Sequence, residues 1–124
     1  MLLKILKSQK RCPMSSNIVR FDAIRSVAFG SITNAYVALG TTFGHAMRVL
    51  QFINNTDGDV MISFDGTTDN LFVPSEGFSL FDLTSDQDGN ESFRYEMGTQ
   101  LYIKYISAPT TGSFYVVAIY GKGE

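Results

Sequence analysis

Short stretches of alternating apolar and polar positions, separated by Gly, Asn, Asp and Pro, run along the chain from residue 18 onward. The clearest case is residues 60–64, where Val60, Ile62 and Phe64 lie on one side of an extended chain and Met61 and Ser63 on the other. Such stretches, rich in Val, Ile, Phe, Tyr and Thr, are typical of β-strands. The predicted strands are residues 18–29, 32–39, 47–54, 60–64, 71–73, 78–83, 93–95, 101–106 and 114–120.

Turn residues between these stretches predict how the strands connect. Asp57-Gly58 predicts a tight hairpin between residues 47–54 and 60–64, because both residue types tolerate positive φ. Asp65-Gly66 predicts a second turn, and Pro74 ends the next strand as it would at a sheet edge. The last two strands are expected to form a hairpin with each other. Eight or nine strands, about one every 10–12 residues, predict an all-β fold: an antiparallel β-sandwich or jelly-roll-like barrel.

The pattern also predicts which side chains face the core, although a slip of one residue in register would invert any strand. The predicted inward residues are Ile32, Val37, Val49, Phe52, Ile53, Val60, Ile62, Phe64, Leu80, Leu101, Ile103, Tyr105, Phe114, Val116 and Ala118. The stretch 18–29 fits helical spacing as well as a strand, and the β-rich context favours the strand. The domain organisation expected is an amino-terminal arm or extension over residues 1–17 and one β-sandwich domain over residues 18–124.

Two of the predicted strands, 47–54 and 114–120, are apolar on both faces. Antiparallel strands usually keep one face toward water, so a two-sided apolar strand indicates that the outer sheet face is covered. The cover is either the amino-terminal segment or another subunit, and the sequence favours the subunit. Tyr115, Val117 and Ile119, on the outer side of the last strand, are therefore candidate partner-binding residues.

Residues 1–13 combine apolar side chains with bases in a short amphipathic pattern. A helix of this length is unstable alone, and the lysines interrupt any apolar run of the kind that a signal peptide needs. Two interpretations stay open: an extension upstream of a start at Met14, or an arm that becomes ordered against a partner. In the second, the contacting residues are Leu3, Lys4, Ile5, Leu6, Lys7, Lys10 and Arg11.

Charge is distributed unevenly along the 124 residues. Residues 1–20 hold five bases and no acid, whereas residues 21–124 hold five bases and twelve acids. The acidic body argues against a nucleic-acid partner, which would require a basic face to replace phosphate counterions. No run of about 18 apolar residues is present, so no membrane partner is expected.

Side chains for catalysis or metal binding are sparse, with one cysteine (Cys12), one histidine (His45) and no Gly-x-Ser-x-Gly motif. His45 is expected to be a surface or packing residue. Residues 86–91 have acids at alternate positions, but their glycine is fourth rather than sixth, and no glutamate is twelfth, so we favour a solvated loop over calcium. We expect no enzyme activity, no metal and no cofactor.

Residues 54–66, followed by Val73-Pro74 and Gly77-Phe78, together with residues 29–32 and 98–104, form a pattern that resembles small virion proteins of tailed bacteriophages. The likeness spans about residues 18–120. It implies a small β-sandwich or barrel that acts by multivalent packing in the virion, at the head–tail connector, in the tail or as capsid decoration. The implied partners are further copies of the chain and other virion proteins, and the resemblance implies no catalytic residue.

An alternative function is a carbohydrate- or receptor-binding module. Sugars stack on exposed aromatic rings in many β-sandwiches, and Tyr36, Tyr102 and Tyr115 are the candidates for such a platform. Ordinary packing within the sheets is the interpretation of these tyrosines that the sequence favours.

Overall fold

The computed structural model describes residues 18–83 and 94–122. The predicted partner-contact residues of the arm, from Leu3 to Arg11, lie outside the described residues. Cys12 and the acidic loop 86–91 lie outside them as well. Within them the chain forms nine strands and one 3₁₀ turn, Phe29–Ser31. The strands are β1 (Val19–Phe21), β2 (Arg25–Ala28), β3 (Val37–Ala38), β4 (Met47–Thr56), β5 (Val60–Ser63), β6 (Leu71–Val73), β7 (Phe78–Asp82), β8 (Tyr102–Tyr105) and β9 (Gly112–Gly121).

The strands form two antiparallel sheets, which confirms the predicted β-sandwich. Sheet A has the order β1-β9-β4-β7, and β2 pairs with β9 along the same edge as β1. Sheet B has the order β3-β8-β5-β6. The long strands β4 and β9 lie at the centre of sheet A and pair over most of their length.

One core lies between the sheets and draws on both of them. Phe52 and Phe114 from sheet A are fully buried, as are Ile62 and Ile103 from sheet B. The Phe52 ring packs edge-on against the Phe64 ring with 6.3 Å between their centroids. Among the described residues, the buried apolar side chains are Ile32, Leu39, Phe43, Met47, Leu50, Phe52, Val60, Ile62, Val73, Leu101, Ile103, Phe114, Val116 and Ala118.

Three of the predicted inward residues face outward instead. Leu80 is 55% exposed, and Val49 and Ile53 lie on the half-buried side of β4. The cause is strand parity: Phe52 is buried, so its neighbour Ile53 must point to the other face. Gln51 pairs with Leu80, which places Leu80 on the outer face as well. The prediction for these three residues was wrong.

The predicted hairpin between the last two strands was also wrong. Strand β8 pairs with β3 and β5 in sheet B, whereas β9 lies in sheet A. Asp57-Gly58 likewise joins strands of different sheets, so it forms a corner and not a hairpin. Gly58 is required there by close approach, because a Cβ atom would lie 2.3 Å from the Ser107 carbonyl oxygen. The turn at Asp65-Gly66 is confirmed: it joins β5 to β6, and Gly66 has a φ of 88°.

Several predicted strands are shorter in the structure. The stretch 18–29 divides into β1 and β2, and between them the Asp22 backbone N–H donates to the Ala118 carbonyl oxygen at 2.9 Å. Of residues 32–39 only Val37–Ala38 is a strand. Of residues 93–95, the described part forms a single bridge between Tyr95 and Met47, and residue 93 lies outside the description.

Candidate assembly surface

The side of sheet A that faces away from the core carries a continuous set of apolar side chains. Residues directly opposite each other in an antiparallel pair share a face, so the register defines this set. We call it the outer A face. It comprises Val19 and Phe21 of β1, Val49, Gln51 and Ile53 of β4, Phe78 and Leu80 of β7, and Tyr115, Val117 and Ile119 of β9.

These side chains form three cross-strand rows. Ile53 pairs with both Phe78 and Tyr115, which gives the first row. Gln51 pairs with Leu80 and Val117 in the second. The third row runs across all four strands, from Asp82 through Val49 and Ile119 to Phe21.

The two margins of the outer A face are its most exposed parts. Phe21 at one margin is 71% exposed, and Phe78 and Leu80 at the other are 65% and 55% exposed. The central residues on β4 and β9 are half-buried by their neighbours. With strands about 4.8 Å apart and a rise of about 3.4 Å per residue, the face is roughly 15 Å by 20 Å, or on the order of 300 Å² in projection. Contiguous apolar patches of this size mark interaction sites in many soluble proteins.

Charge is nearly absent from this face. Among its register positions in the described residues, Asp82 at the β7 margin is the only ionisable carboxylate or base. Gln51 in the middle row is the polar side chain nearest the centre. A surface of this composition favours an apolar partner over a charged ligand.

The three sheet residues that the sequence gives as candidates for partner binding lie together in the structure. Tyr115, Val117 and Ile119 alternate along β9 and form the central column of the outer A face. The exposed residues Phe21 and Leu80 were missed. Their stretches also contain apolar residues at alternate positions, but assigning them to this face requires knowing that β1 and β7 belong to sheet A.

Of the three candidate tyrosines of a sugar platform, Tyr115 lies apart from the other two. Tyr115 is on the outer A face, whereas Tyr36 donates a 2.5 Å hydrogen bond to Asp69 near the β5–β6 turn. The Lys104 ammonium lies 4.7 Å from the Tyr36 ring centroid and 3.4 Å from the Asp69 carboxylate. Partial burial is the larger cause that raises the pKa of Tyr36 above its ordinary value, and the hydrogen bond to Asp69 is the next. Tyr102 packs against Gly66 in the same turn.

The His45 ring stacks on the Tyr120 ring with 3.8 Å between centroids. A cleft of about 330 Å³ is lined by aromatic and aliphatic side chains that include Phe81 and Tyr95, close in sequence to the two ends of segment 84–93.

No group of three or more His, Cys, Asp or Glu side chains in residues 18–83 and 94–122 is arranged to hold a metal ion. In the same residues no helix has the length and apolar character needed to cross a bilayer.

Comparison with known proteins identifies no relative. No protein-family model matches the chain, and neither a curated protein nor a solved structure matches it.

Proposed function

We propose that this chain is a non-enzymatic structural protein of a tailed-bacteriophage virion, and that it assembles into a symmetric oligomer through the outer A face. The observation that supports assembly is the exposure of Phe21, Phe78 and Leu80 on one continuous apolar sheet face. Exposed apolar rows on a regular sheet are costly in water, and a partner that covers them removes that cost.

The size of the face supports repeated contacts better than a single strong one. Covering about 300 Å² of apolar surface is worth about 7 kcal/mol at 25 cal/mol per Å². Association itself costs about 4–15 kcal/mol in lost translation and rotation, so one such contact is weak. In a ring or shell every copy makes several contacts, and the multivalent arrangement is far more stable than any one of them.

The assignment to a virion is supported by the sequence pattern of residues 54–66. In the structure these residues form the end of β4, the corner between the sheets, strand β5 and the start of the β5–β6 turn. The partners in the proposal are further copies of the chain and other virion proteins, at the head–tail connector, in the tail or as capsid decoration. The acidic body would be repelled by packaged DNA, which favours a position outside the genome compartment.

Native mass spectrometry of the purified full chain, followed by electron microscopy of the particles, tests this proposal. The expected result is one discrete copy number, with matching rotational symmetry in the images. A chain that remains a 13.7 kDa monomer at every concentration and binds no purified virion component contradicts the proposal.

The second candidate function is a carbohydrate- or receptor-binding module. It is favoured by the partly exposed cluster of Tyr36, Asp69 and Lys104, which places a ring beside a carboxylate and an ammonium group. Such groups bind sugar hydroxyls and stack on sugar rings. A glycan-array screen tests it: binding that is lost in Tyr36→Ala supports the module, and an array without any hit rejects it.

A further inference from the structure

We infer that the outer A face of one copy is covered by residues 2–6 of a neighbouring copy, through apolar side chains of that segment. The inference rests on the proposed assembly and names the segment that makes its contact. It therefore assigns the chain two complementary surfaces: an apolar, basic amino-terminal segment and a sheet face that receives it. A contact of this kind joins different surfaces of the two partners, and it closes into a ring when the rotation permits.

The backbone contact of Ile18 shows where the described chain enters sheet A. The Ile18 carbonyl oxygen accepts a hydrogen bond from the Lys122 backbone N–H, so the chain enters sheet A at the end of β9. Strand β1 is antiparallel to β9, with Val19 opposite Gly121. The direction of β1, extended back from Val19, points beyond the end of β9, where a neighbouring copy can be placed, and the chain's own outer A face lies in the opposite direction.

The length of the segment is sufficient for this reach. Ile18 comes twelve positions after Leu6, and an extended chain covers about 3.3–3.6 Å per position, or about 40 Å in total. That distance is more than twice the width of roughly 15 Å between the outermost strands of sheet A. Residues 2–6 in extended form are about 17 Å long, which is close to the length of the face.

The area of the face argues for a short segment rather than for a second sandwich. Stable interfaces bury about 800 Å² on each partner, well above the area on the order of 300 Å² that the outer A face offers. Two copies packed face to face through their outer A faces would therefore bury less surface than a stable interface needs. A single extended segment suits a face of this size, because its alternating side chains place two of its four apolar residues, Leu3 and Ile5 or Leu2 and Leu6, along the face.

Charge favours the same arrangement. Residues 1–17 carry four bases and no acid, whereas residues 18–124 carry six bases and twelve acids. Two acidic bodies repel each other, but a basic segment is attracted to an acidic body. Lys4 and Lys7 flank the apolar side chains of the segment, and Asp82 lies at the margin of the receiving face.

Cross-linking between full-length chains tests the inference. All chains carry Cys12→Ser; one population also carries Ile5→Cys, and the other carries Leu80→Cys with a tag that changes its mass. The matched control replaces Leu80→Cys by Phe72→Cys, because Phe72 is similarly exposed, at 48%, on the outer side of sheet B. A short bismaleimide is added to the mixtures, and the mass of untreated samples is recorded in parallel.

The expected result with Leu80→Cys is a cross-linked dimer whose mass shows one chain from each population. This mixed dimer should be absent with Phe72→Cys, and its yield with Leu80→Cys should fall in high salt. An oligomer that gives no mixed species with Leu80→Cys, or equal yields at both positions, overturns the inference while leaving the proposed assembly intact. A chain that carries both Ile5→Cys and Leu80→Cys tests coverage within one copy. If the samples are monomeric and a link forms only within this chain, the segment covers its own face, and the inference and the proposed assembly are both overturned.

Discussion

Asn54 connects the two sheets at the corner between β4 and β5, and its replacement by Ala should be among the most damaging in the chain. The side chain is 1% exposed. Its amide nitrogen donates to the carbonyl oxygens of Gly58, Val73 and Pro74 at 2.9–3.1 Å. Its amide oxygen accepts from the backbone N–H and the hydroxyl of Thr56 at 3.0 and 2.6 Å.

The magnitude follows from these contacts, in which two amide N–H groups are shared among three carbonyl oxygens, so that the side chain makes the equivalent of about four hydrogen bonds. Each is worth about 1 kcal/mol net, and a buried group left without a partner costs about 1–3 kcal/mol. The Gly58 carbonyl retains the Thr56 hydroxyl as a donor, which limits the loss. Asn54→Ala is therefore expected to lower the free energy of unfolding by about 3–5 kcal/mol. A chain of this length has roughly 6–18 kcal/mol in total.

Urea unfolding followed by circular dichroism measures the effect, and a thermal scan should show a midpoint about 10–20 °C lower. Asn54→Asp should be at least as damaging, because a carboxylate cannot donate to the three carbonyl oxygens. The matched control is Asn55→Ala, since the adjacent Asn55 is exposed. If Asn54→Ala loses less than about 1 kcal/mol, the sheets are not held together by this network and the reasoning is refuted.

Three further predictions concern single residues of the sandwich. Gly112→Ala should cost several kcal/mol or prevent folding, because φ is 94° and a Cβ atom would lie 2.0 Å from the Asn55 carbonyl oxygen. Hydrogen bonds from backbone N–H groups hold the pKa of Asp65 well below its usual range, so Asp65 stabilises the fold above its unfolded pKa of 3.8 and this contribution is lost as pH falls. Asp65→Asn should flatten the acid side of the stability curve. Arg25→Met should cost about 2–4 kcal/mol, because the buried guanidinium bonds to two carbonyl oxygens beside Phe43.

Each of these has a measurement and a control. Gly30→Ala should be nearly neutral, since nothing lies within 4 Å of its added Cβ atom and its φ is not positive. Equal losses for Gly30→Ala and Gly112→Ala would contradict the steric account. For Asp65→Asn, urea unfolding between pH 3 and 7 is compared with the unchanged chain, and parallel curves count against the pKa argument. Arg20→Met at an exposed position is the control for Arg25→Met.

The fold class could be predicted because the alternation in residues 60–64 and the β-branched and aromatic composition of residues 114–120 are local properties of the chain. Sheet membership could not. Asp57-Gly58 has the residue types of a hairpin turn, and the same residues also suit a corner between sheets, so local chemistry does not separate the two. Strand parity in β4 is obscured by an irregularity between Met47 and Val49, where Met47 and Arg48 are both buried.

The candidate surface was predictable in its centre and not at its margins. Tyr115, Val117 and Ile119 stand out because their strand is apolar on both sides. Leu80 and Phe21 belong to the same surface only because β7 and β1 join sheet A, and long-range pairing of this kind leaves no mark in either stretch alone. The register of β4 with β7 is what turns Leu80 from a predicted core residue into an exposed one.

The most direct test of the assembly surface is the solution mass of the full chain by light scattering, with a charge placed on each outer sheet face in turn. Leu80→Lys puts a charge on the outer A face, and Phe72→Lys puts the same charge on the outer side of sheet B at similar exposure. The account predicts one oligomer for the unchanged chain and for Phe72→Lys, and a monomer of about 13.7 kDa for Leu80→Lys. A Leu80→Lys chain that keeps the oligomeric mass would contradict it.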